Sequence, residues 1–515
     1  MKILPIEKVR EADAYTIKNE PIKSTDLMER AGTQIFKWVI NNVKKSQTVK
    51  IFCGLGNNAG DGLVVARLLA GKNIPVHINI IRYSEKTSAN FEVNYKRLEN
   101  IKGVEINNIH EGDKFPEISK NDLVVDAIFG SGLSKPVLGF IGDVIDEINK
   151  SEAVVIALDA PSGLFCDLSS TNHKGKIIEA DYTLTFQFPK YAFLFPENDK
   201  YVGKWEVLSI GLHKDFIFSV EVKNYFIEKE DCREMLKKRN KFSHKGNYGH
   251  ALLISGGYGK MGAAVLASKA CLRSGVGLLT THIPAKGNNI IQTAVPETMT
   301  DIDENENYFS KVPDLSNYNA IAVGPGIGME KQTQNALKLL IQNAGVPIVF
   351  DADAINILGE NKTWLSFIPE FCIFTPHPKE FERLVGKSKN NFERIKMQKM
   401  FSCKYKSYVV LKGAHTAITT PNGDCFFNST GNPGMATGGS GDILTGIILG
   451  LLAQNYNSLE ASILGVYLHG LAGDIAAKNK SQEAMIASDI IENLGEAIKS
   501  VRESEFRERN AMHIM

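Results

Sequence analysis

Asn432-Pro433-Gly434-Met435-Ala436-Thr437-Gly438-Gly439-Ser440-Gly441-Asp442 runs without a break into the apolar stretch Ile443 to Ala453. Where a glycine-rich turn opens a helix, successive backbone N–H groups form an anion hole, and the first acidic side chain lies beside it. That pairing suits phosphoryl transfer. The N–H groups stabilise charge on the moving group while Asp442 takes a proton from the accepting hydroxyl. The plainer alternative, a turn with Asp442 as a helix cap, fits poorly with so long a run.

Working outward, short apolar runs alternate with amphipathic stretches, the pattern of a parallel sheet with crossover helices. Strands are predicted at Ala251–Ser255, Gly277–His282, Ala320–Val323, Ile348–Asp351, Cys372–Thr375, Tyr408–Lys412 and Thr416–Thr420. Four motifs follow directly on such strands: Gly324-Pro325-Gly326-Ile327-Gly328, Asp351-Ala352-Asp353-Ala354, Thr375-Pro376-His377-Pro378-Lys379-Glu380 and Lys412-Gly413-Ala414-His415-Thr416. Each is weak alone, since a lone histidine after a strand is usually a hydrogen-bonded loop residue and Lys-Gly is usually a turn. Their shared placement at strand ends carries the weight.

A second alternating series occupies residues 49 to 210, with strands predicted at Val49–Cys53, Val76–Ile81, Leu123–Ile128, Val154–Leu158, Tyr182–Phe186 and Val207–Ile210. A helix is expected before them from Ser24 to Asn41, capped by Ser24 or Thr25, with Met28, Ile35 and Val39 on its apolar face. Gly54-Leu55-Gly56-Asn57-Asn58-Ala59-Gly60-Asp61-Gly62 joins the first strand to a helix expected over Leu63 to Leu69. Glycines there let backbone N–H groups approach a phosphate. The loop is not the GxGxxG dinucleotide fingerprint. Asp126, before Gly130-Ser131-Gly132, and Asp159, before Pro161-Ser162-Gly163, mark two more strand ends, and in open parallel sheets such ends can converge on one crevice. A single aspartate there is usually a helix cap, but three glycine-flanked acidic ends exceed that reading.

The chain of 515 residues exceeds what one hydrophobic core supports. Its 43% hydrophobic and 23% charged residues are those of a globular protein, and a net charge of +1 lacks the basic excess that nucleic-acid binding needs. The charge-dense segment Val220 to Lys245 reads as the join, and Val501 to Met515 as a charged tail. The N-terminus meets Pro5 and charges too early for a secretory signal, and no stretch is long and apolar enough to span a bilayer. Seven cysteines without CxxC spacing suggest neither zinc nor a disulfide framework, so a cytoplasmic setting is expected.

The front motifs, with Thr25-Asp26-Leu27-Met28-Glu29-Arg30-Ala31-Gly32, resemble the NAD(P)H-hydrate epimerase family over most of residues 1 to 215. The resemblance implies a Rossmann-like three-layer α/β domain over residues 1–218. It further implies that Asn57, Asn58, Ala59, Gly60 and Asp61, together with Gly130, Ser131, Gly132, Leu133, Ser134, Lys135 and Pro136, bind the hydrate. Asn58, Asp126 and Ser162 would bind potassium, and Asp159 would face the reacting ring as general acid and base. Oxygen donors suit a hard alkali cation. Two positions depart from the family: Ala59 stands where glycine is usual, acceptable only if its φ is negative, and Tyr191-Ala192 follows Lys190 where a glycine is common.

The rear motifs, with Lys245-Gly246-Asn247-Tyr248-Gly249 and Gly262-Ala263-Ala264, resemble the NAD(P)H-hydrate dehydratase family, a branch of the ribokinase-like three-layer α/β fold, placed here over residues 219–500 with a tail at 501–515. The implied roles put Ala263, Gly326, His377 and Asp442 at the hydrate, and Lys412, Gly413, Ala414, His415, Thr416 and Gly441 at the nucleotide. ADP with magnesium is the implied phosphoryl donor. Lys379 replaces a glycine that the family often shows. Implied partners are the small molecules NADHX, NADPHX and ADP, in a homo-oligomer without membrane or nucleic acid. A ribokinase-like kinase of a vitamin precursor or sugar, fused to a non-catalytic Rossmann-like binding domain, stays open as the alternative. His282, His469 and the aromatic residues near Tyr191 are assigned core or loop roles.

Overall fold

The computed structural model describes residues 1–42, 47–99, 101–170 and 174–503, so the tail beyond them, where fraying is expected, lies outside the described residues. The chain divides into two compact units, Met1–Val222 with Asn390–Phe392, and Lys223–Lys389 with Glu393–Met515.

The front unit holds seven strands: β1 Val49–Cys53, β2 Val76–Ile81, β3 Val104–Ile109, β4 Leu123–Ala127, β5 Val154–Leu158, β6 Tyr182–Phe186 and β7 Lys204–Leu208. They form one sheet in the order β3-β2-β1-β4-β5-β6-β7, and every pair is parallel. The central strand β1 is buried on both faces, which is why it reads as a continuous apolar run. β3 was not expected: its Val-Glu-Ile-Asn-Asn-Ile sequence is an edge strand with one polar face. Helix Ile6–Asn19 was missed too, because it buries only Ala12 and Thr16 and shows no apolar stripe.

Helix boundaries move upstream of their predicted places. The helix expected over Leu63 to Leu69 spans Asn57–Ala70, so Asn57 to Asp61 form its first turn rather than a loop before it. The helix Ser24–Asn42 already includes Ser24 and Thr25, which are helical instead of capping. It packs closely on the helix Asn57–Ala70 because Gly32 has no side chain: a Cβ there would collide with Val64 Cγ1.

The rear unit contains β8 Asn224–Phe226, β9 His250–Ile254, β10 Leu278–Ile283, β11 Met299–Ile302, β12 Ala320–Val323, β13 Ile348–Phe350, β14 Ile373–Phe374, β15 Tyr408–Leu411, β16 Ala417–Thr419 and β17 Cys425–Phe427. Their order is β11-β10-β9-β12-β13-β14-β15-β16-β17-β8, parallel except where β16 runs antiparallel to β15 and β17. The segment read as a join is therefore in part structural. It supplies edge strand β8, paired with β17, and the helix Lys229–Met235. Strands of three or four residues at a sheet edge are too short for alternation to declare them. Among the described residues no helix is long and apolar enough to cross a membrane.

Candidate active sites

In the front sheet the strand order reverses between β1 and β4, and a crevice opens at their carboxyl ends. A cavity of about 610 Å³ lies there, lined by Asn57, Asn58, Asp61, residues 130–135 and Asp159. Ala59 and Gly60 are buried in the helix turn behind it, and Pro136 lies outside the lining. Ala59 is helical and has no positive φ, so the missing glycine costs the backbone nothing.

Asp159 itself has φ 63, a left-handed conformation that turns the chain sharply after β5. Its Oδ1 lies 2.8 Å from Lys190 Nζ, and its Oδ2 accepts from the Ser131 N–H at 3.2 Å. Burial opposes the charge, but Lys190 and these hydrogen bonds outweigh it and hold the carboxyl below its usual value. Two further carboxyls line the same cavity. Burial and the Asp159 charge push Asp13 up to about 6, and burial with Asp159 and Asp13 raises Asp61 well above the ordinary range. Sequence reasoning missed Asp13 and the pairing of Lys190. Asp13 belongs to the unpredicted first helix, and no spacing relates Lys190 to Asp159.

Beneath the cavity floor Asp126 and Ser162 are fully buried and bonded to each other, Ser162 Oγ donating to Asp126 Oδ1 at 2.5 Å and Ser162 N to Oδ2 at 2.8 Å. Burial pushes Asp126 up to about 6 despite those bonds. No cationic side chain pairs with it among the described residues. Nearby, Asn58 Nδ2 is buried without a partner, and a Cβ on Gly130 would touch the Asn58 amide at 3.2 Å. A buried carboxylate without a cationic partner, in a site that also holds an unsatisfied amide, fits a bound monovalent cation, which would neutralise Asp126.

In the rear sheet the order reverses between β9 and β12, and the predicted motifs gather at the carboxyl ends of these and neighbouring strands. The helix expected from Ile443 begins at Ser440, headed by Gly439 in the left-handed region at φ 91 and without a side-chain cap, so Asp442 stands in its first turn. Burial and the Asp351 charge raise Asp442 to about 6, against the pull of Lys412. Lys412 Nζ meets Asp351 Oδ1 at 3.0 Å, and a Cβ on Gly441 would lie 3.3 Å from that same nitrogen. Asp351 Oδ2 accepts from Thr445 Oγ1 at 2.8 Å, which locks the carboxylate between strand end and helix.

His377 caps the helix Pro378–Val385, its Nδ1 accepting from the N–H groups of Lys379 and Glu380. The ring is thereby fixed with Nε2 protonated, and burial lowers its pKa. Lys379 lies inside this helix without positive φ, so no glycine is needed there. Ala263 and Gly326 face each other, a Cβ on Gly326 falling 3.5 Å from that of Ala263. Thr416 closes the Lys412 turn by donating to Gly413 O at 3.0 Å, and His415 Nδ1 bonds Asn428 O at 2.9 Å. His282 is buried between Asp301 and Asp303. His469 is buried as well, but its Nε2 lies 3.3 Å from Ser440 Oγ, at the start of the anion-hole helix.

Two α/β domains, one with a crevice of three carboxylates and one with an anion hole above a Lys-Asp pair, define an enzyme with two separate sites of chemistry. A family model for the YjeF-related protein N-terminus matches residues 24–192, and one for NAD(P)H-hydrate dehydratase matches residues 251–496. The chain is 33% identical to the bifunctional NAD(P)H-hydrate repair enzyme of Moorella thermoacetica, over 98% of each chain. It is 32% identical to that of Escherichia coli, over 91% of this chain and 88% of that one. An ADP/ATP-dependent NAD(P)H-hydrate dehydratase from Bacillus subtilis, co-crystallised with ATP and Mg2+, is 32% identical over 54% of this chain and 98% of its own, at TM-score 0.48. The chain belongs to the family of bifunctional NAD(P)H-hydrate repair enzymes, with an epimerase domain in front and a dehydratase domain behind.

Proposed function

We propose that the front cavity interconverts the R and S hydrates of NADH and NADPH through Asp159, Lys190 and the carboxyls of Asp13 and Asp61, and that the rear site dehydrates the S hydrate at Asp442 with ADP as phosphoryl donor. The observation that carries the epimerase assignment is geometric: three carboxyls line one cavity and only Asp159 is paired with a buried lysine, which separates base from acid. In the hydrate, the ring nitrogen expels the hydroxyl on the neighbouring carbon. Leaving as water, it needs a proton, which Asp61, raised well above the ordinary carboxyl range, supplies, with Asp13 beside it to relay the next one. Return of water to the other face delivers its proton to the Asp159 carboxylate, kept ionised by Lys190.

Asn58, Asp126 and Ser162 would hold potassium. The ion would supply positive charge under the cavity floor and fix the loop of residues 130–135. In the rear site, Asp442 takes the proton of the hydrate hydroxyl as its oxygen forms a bond to the ADP terminal phosphorus and AMP leaves. The phosphate ester then departs with its C–O bond pair, pushed by the ring nitrogen, and loss of a ring proton restores the reduced nicotinamide. Lys412 to Thr416 and Gly441 hold the nucleotide, and Ala263, Gly326 and His377 the hydrate. Among the described residues no cluster of three metal-ligating side chains stands ready. Magnesium would arrive on the nucleotide phosphates and keep most of its waters. The fused two-domain architecture supports ADP over ATP. Seven free cysteines support a cytoplasmic setting.

The test is recovery of reduced-nicotinamide absorbance from a mixture of both hydrate epimers, with ADP or ATP and magnesium. Full recovery with ADP, roughly halved by Asp159→Ala and abolished by Asp442→Ala, is the expected result. No recovery with either nucleotide refutes it.

A further inference from the structure

Residues 236–245 lead into β9 and carry Lys237, Lys238, Arg239, Lys241 and Lys245 without an acidic residue. Together with Arg273 and Arg502, the first three line an open cleft of about 700 Å³ in which no lining side chain is acidic. The cleft lies at the amino ends of β9 and β10, between Tyr248 and Gly275, and reaches Gln454 beyond the last turn of the helix Ser440–Ala453. Asp442 stands at the other end of that helix, roughly 20 Å away at a rise of about 1.5 Å per residue. The cleft is therefore no part of the dehydratase site.

Three of its cations are held in place by neutral groups. Lys237 donates to Asn455 O at 2.6 Å and lies over the Tyr456 ring. Arg239 donates to Gly275 O and stacks on Tyr248 at 4.0 Å. Arg502 donates to Lys237 O at 2.8 Å. Lys238 and Arg273 have no hydrogen-bond or ion-pair partner among the described residues. The cluster thus gathers five positive charges, none of them matched by a carboxylate in an ion pair, around a space of ligand size. At its rim Phe242 is 94% exposed, with its aromatic face open beside the cations.

We propose that this cleft is a second nucleotide site, with Lys238 and Arg273 on the phosphates and Phe242 stacked on the base. Cationic side chains beside an exposed ring are what a phosphorylated base requires. Such a site would let nucleotide level act on the enzyme from outside its chemistry. It stands independently of the choice of phosphoryl donor at Asp442.

Equilibrium dialysis of the full chain against ADP, and separately against inorganic pyrophosphate, tests it. Wild-type protein should take up a second equivalent of ADP that Lys238→Glu with Arg273→Glu removes, while Asp442-dependent turnover at saturating ADP stays unchanged. Phe242→Ala, which alters only an exposed ring, should weaken that second equivalent about tenfold for ADP and leave pyrophosphate alone. A single ADP equivalent in both wild type and double variant overturns the proposal. So does tighter binding of a single-stranded RNA than of ADP at physiological salt, or a change from oligomer to monomer in the double variant, which would make the cleft an interface between copies.

Discussion

Lys190 Nζ lies 2.8 Å from Asp159 Oδ1, and only 1% of the lysine side chain is exposed. A buried ammonium with one carboxylate partner is costly to place and more costly to orphan. Its position ties the end of β5 to the turn after β6. It holds Asp159 ionised in a cavity where burial pushes the other two carboxyls, Asp13 and Asp61, the opposite way.

Lys190→Met should therefore disable epimerisation while leaving dehydration of the S hydrate intact. With Lys190 gone, burial and the neighbouring acids raise Asp159, and the cavity loses its dedicated ionised base. Epimerisation is expected to fall about 100-fold or more, the scale of a lost acid-base group. Nuclear magnetic resonance of separated epimers, without nucleotide, reads it. An unchanged rate would remove Lys190 from the chemistry. The sign for stability follows from Asp159 being depressed: its contribution is present above the unfolded carboxylate value and is lost as pH falls through the folded value. The acid limb of unfolding should therefore flatten in the variant.

Dehydration should depend on pH through Asp442. Its pKa is raised to about 6, and it acts as base only when ionised. The kcat/KM should rise with pH through about 6 to a plateau. A profile flat from about pH 5 to 7 would assign the proton transfer elsewhere.

Potassium should raise the thermal midpoint of the front domain and accelerate epimerisation, because it relieves the uncompensated burial of Asp126. Sodium should do less, and Asn58→Ala with Ser162→Ala should abolish the difference. Equal midpoints in potassium and sodium for the wild type would argue against the site.

Ala59→Gly and Lys379→Gly, which restore the family's glycines, should each lower stability by about 1 kcal/mol, since both positions are helical. Neither should raise activity. Denaturant midpoints and initial rates measure this, and a gain in rate would show that a left-handed backbone is needed during turnover.

Gly32→Ala should cost about 1–3 kcal/mol through overpacking against Val64, as read by the chemical denaturation midpoint. Val64→Ala in the same chain should restore part of the loss. A neutral Gly32→Ala would mean that the two helices can separate without strain.

Both parallel-sheet domains, and the placement of their glycine-rich motifs at strand ends, are legible along the chain. Strands such as Val49–Cys53 and Ala320–Val323 are buried on both faces, and burial on both faces writes itself as an unbroken apolar run. Edge strands β3, β8 and β11 were illegible because an edge has a polar face or only a few residues, and β17, paired on both sides, is only three residues long. The helix carrying Asp13 buries too little to show a stripe. Which groups meet emerges only on packing: Lys190 with Asp159, Asp13 and Asp61 in the same cavity, Lys412 against Asp351 and Gly441, and Arg273 and Arg502 beside the 236–245 segment. Periodicity reports how one element faces the core. Pairings between residues far apart in sequence, and the pKa values they set, exist only once separate elements pack together.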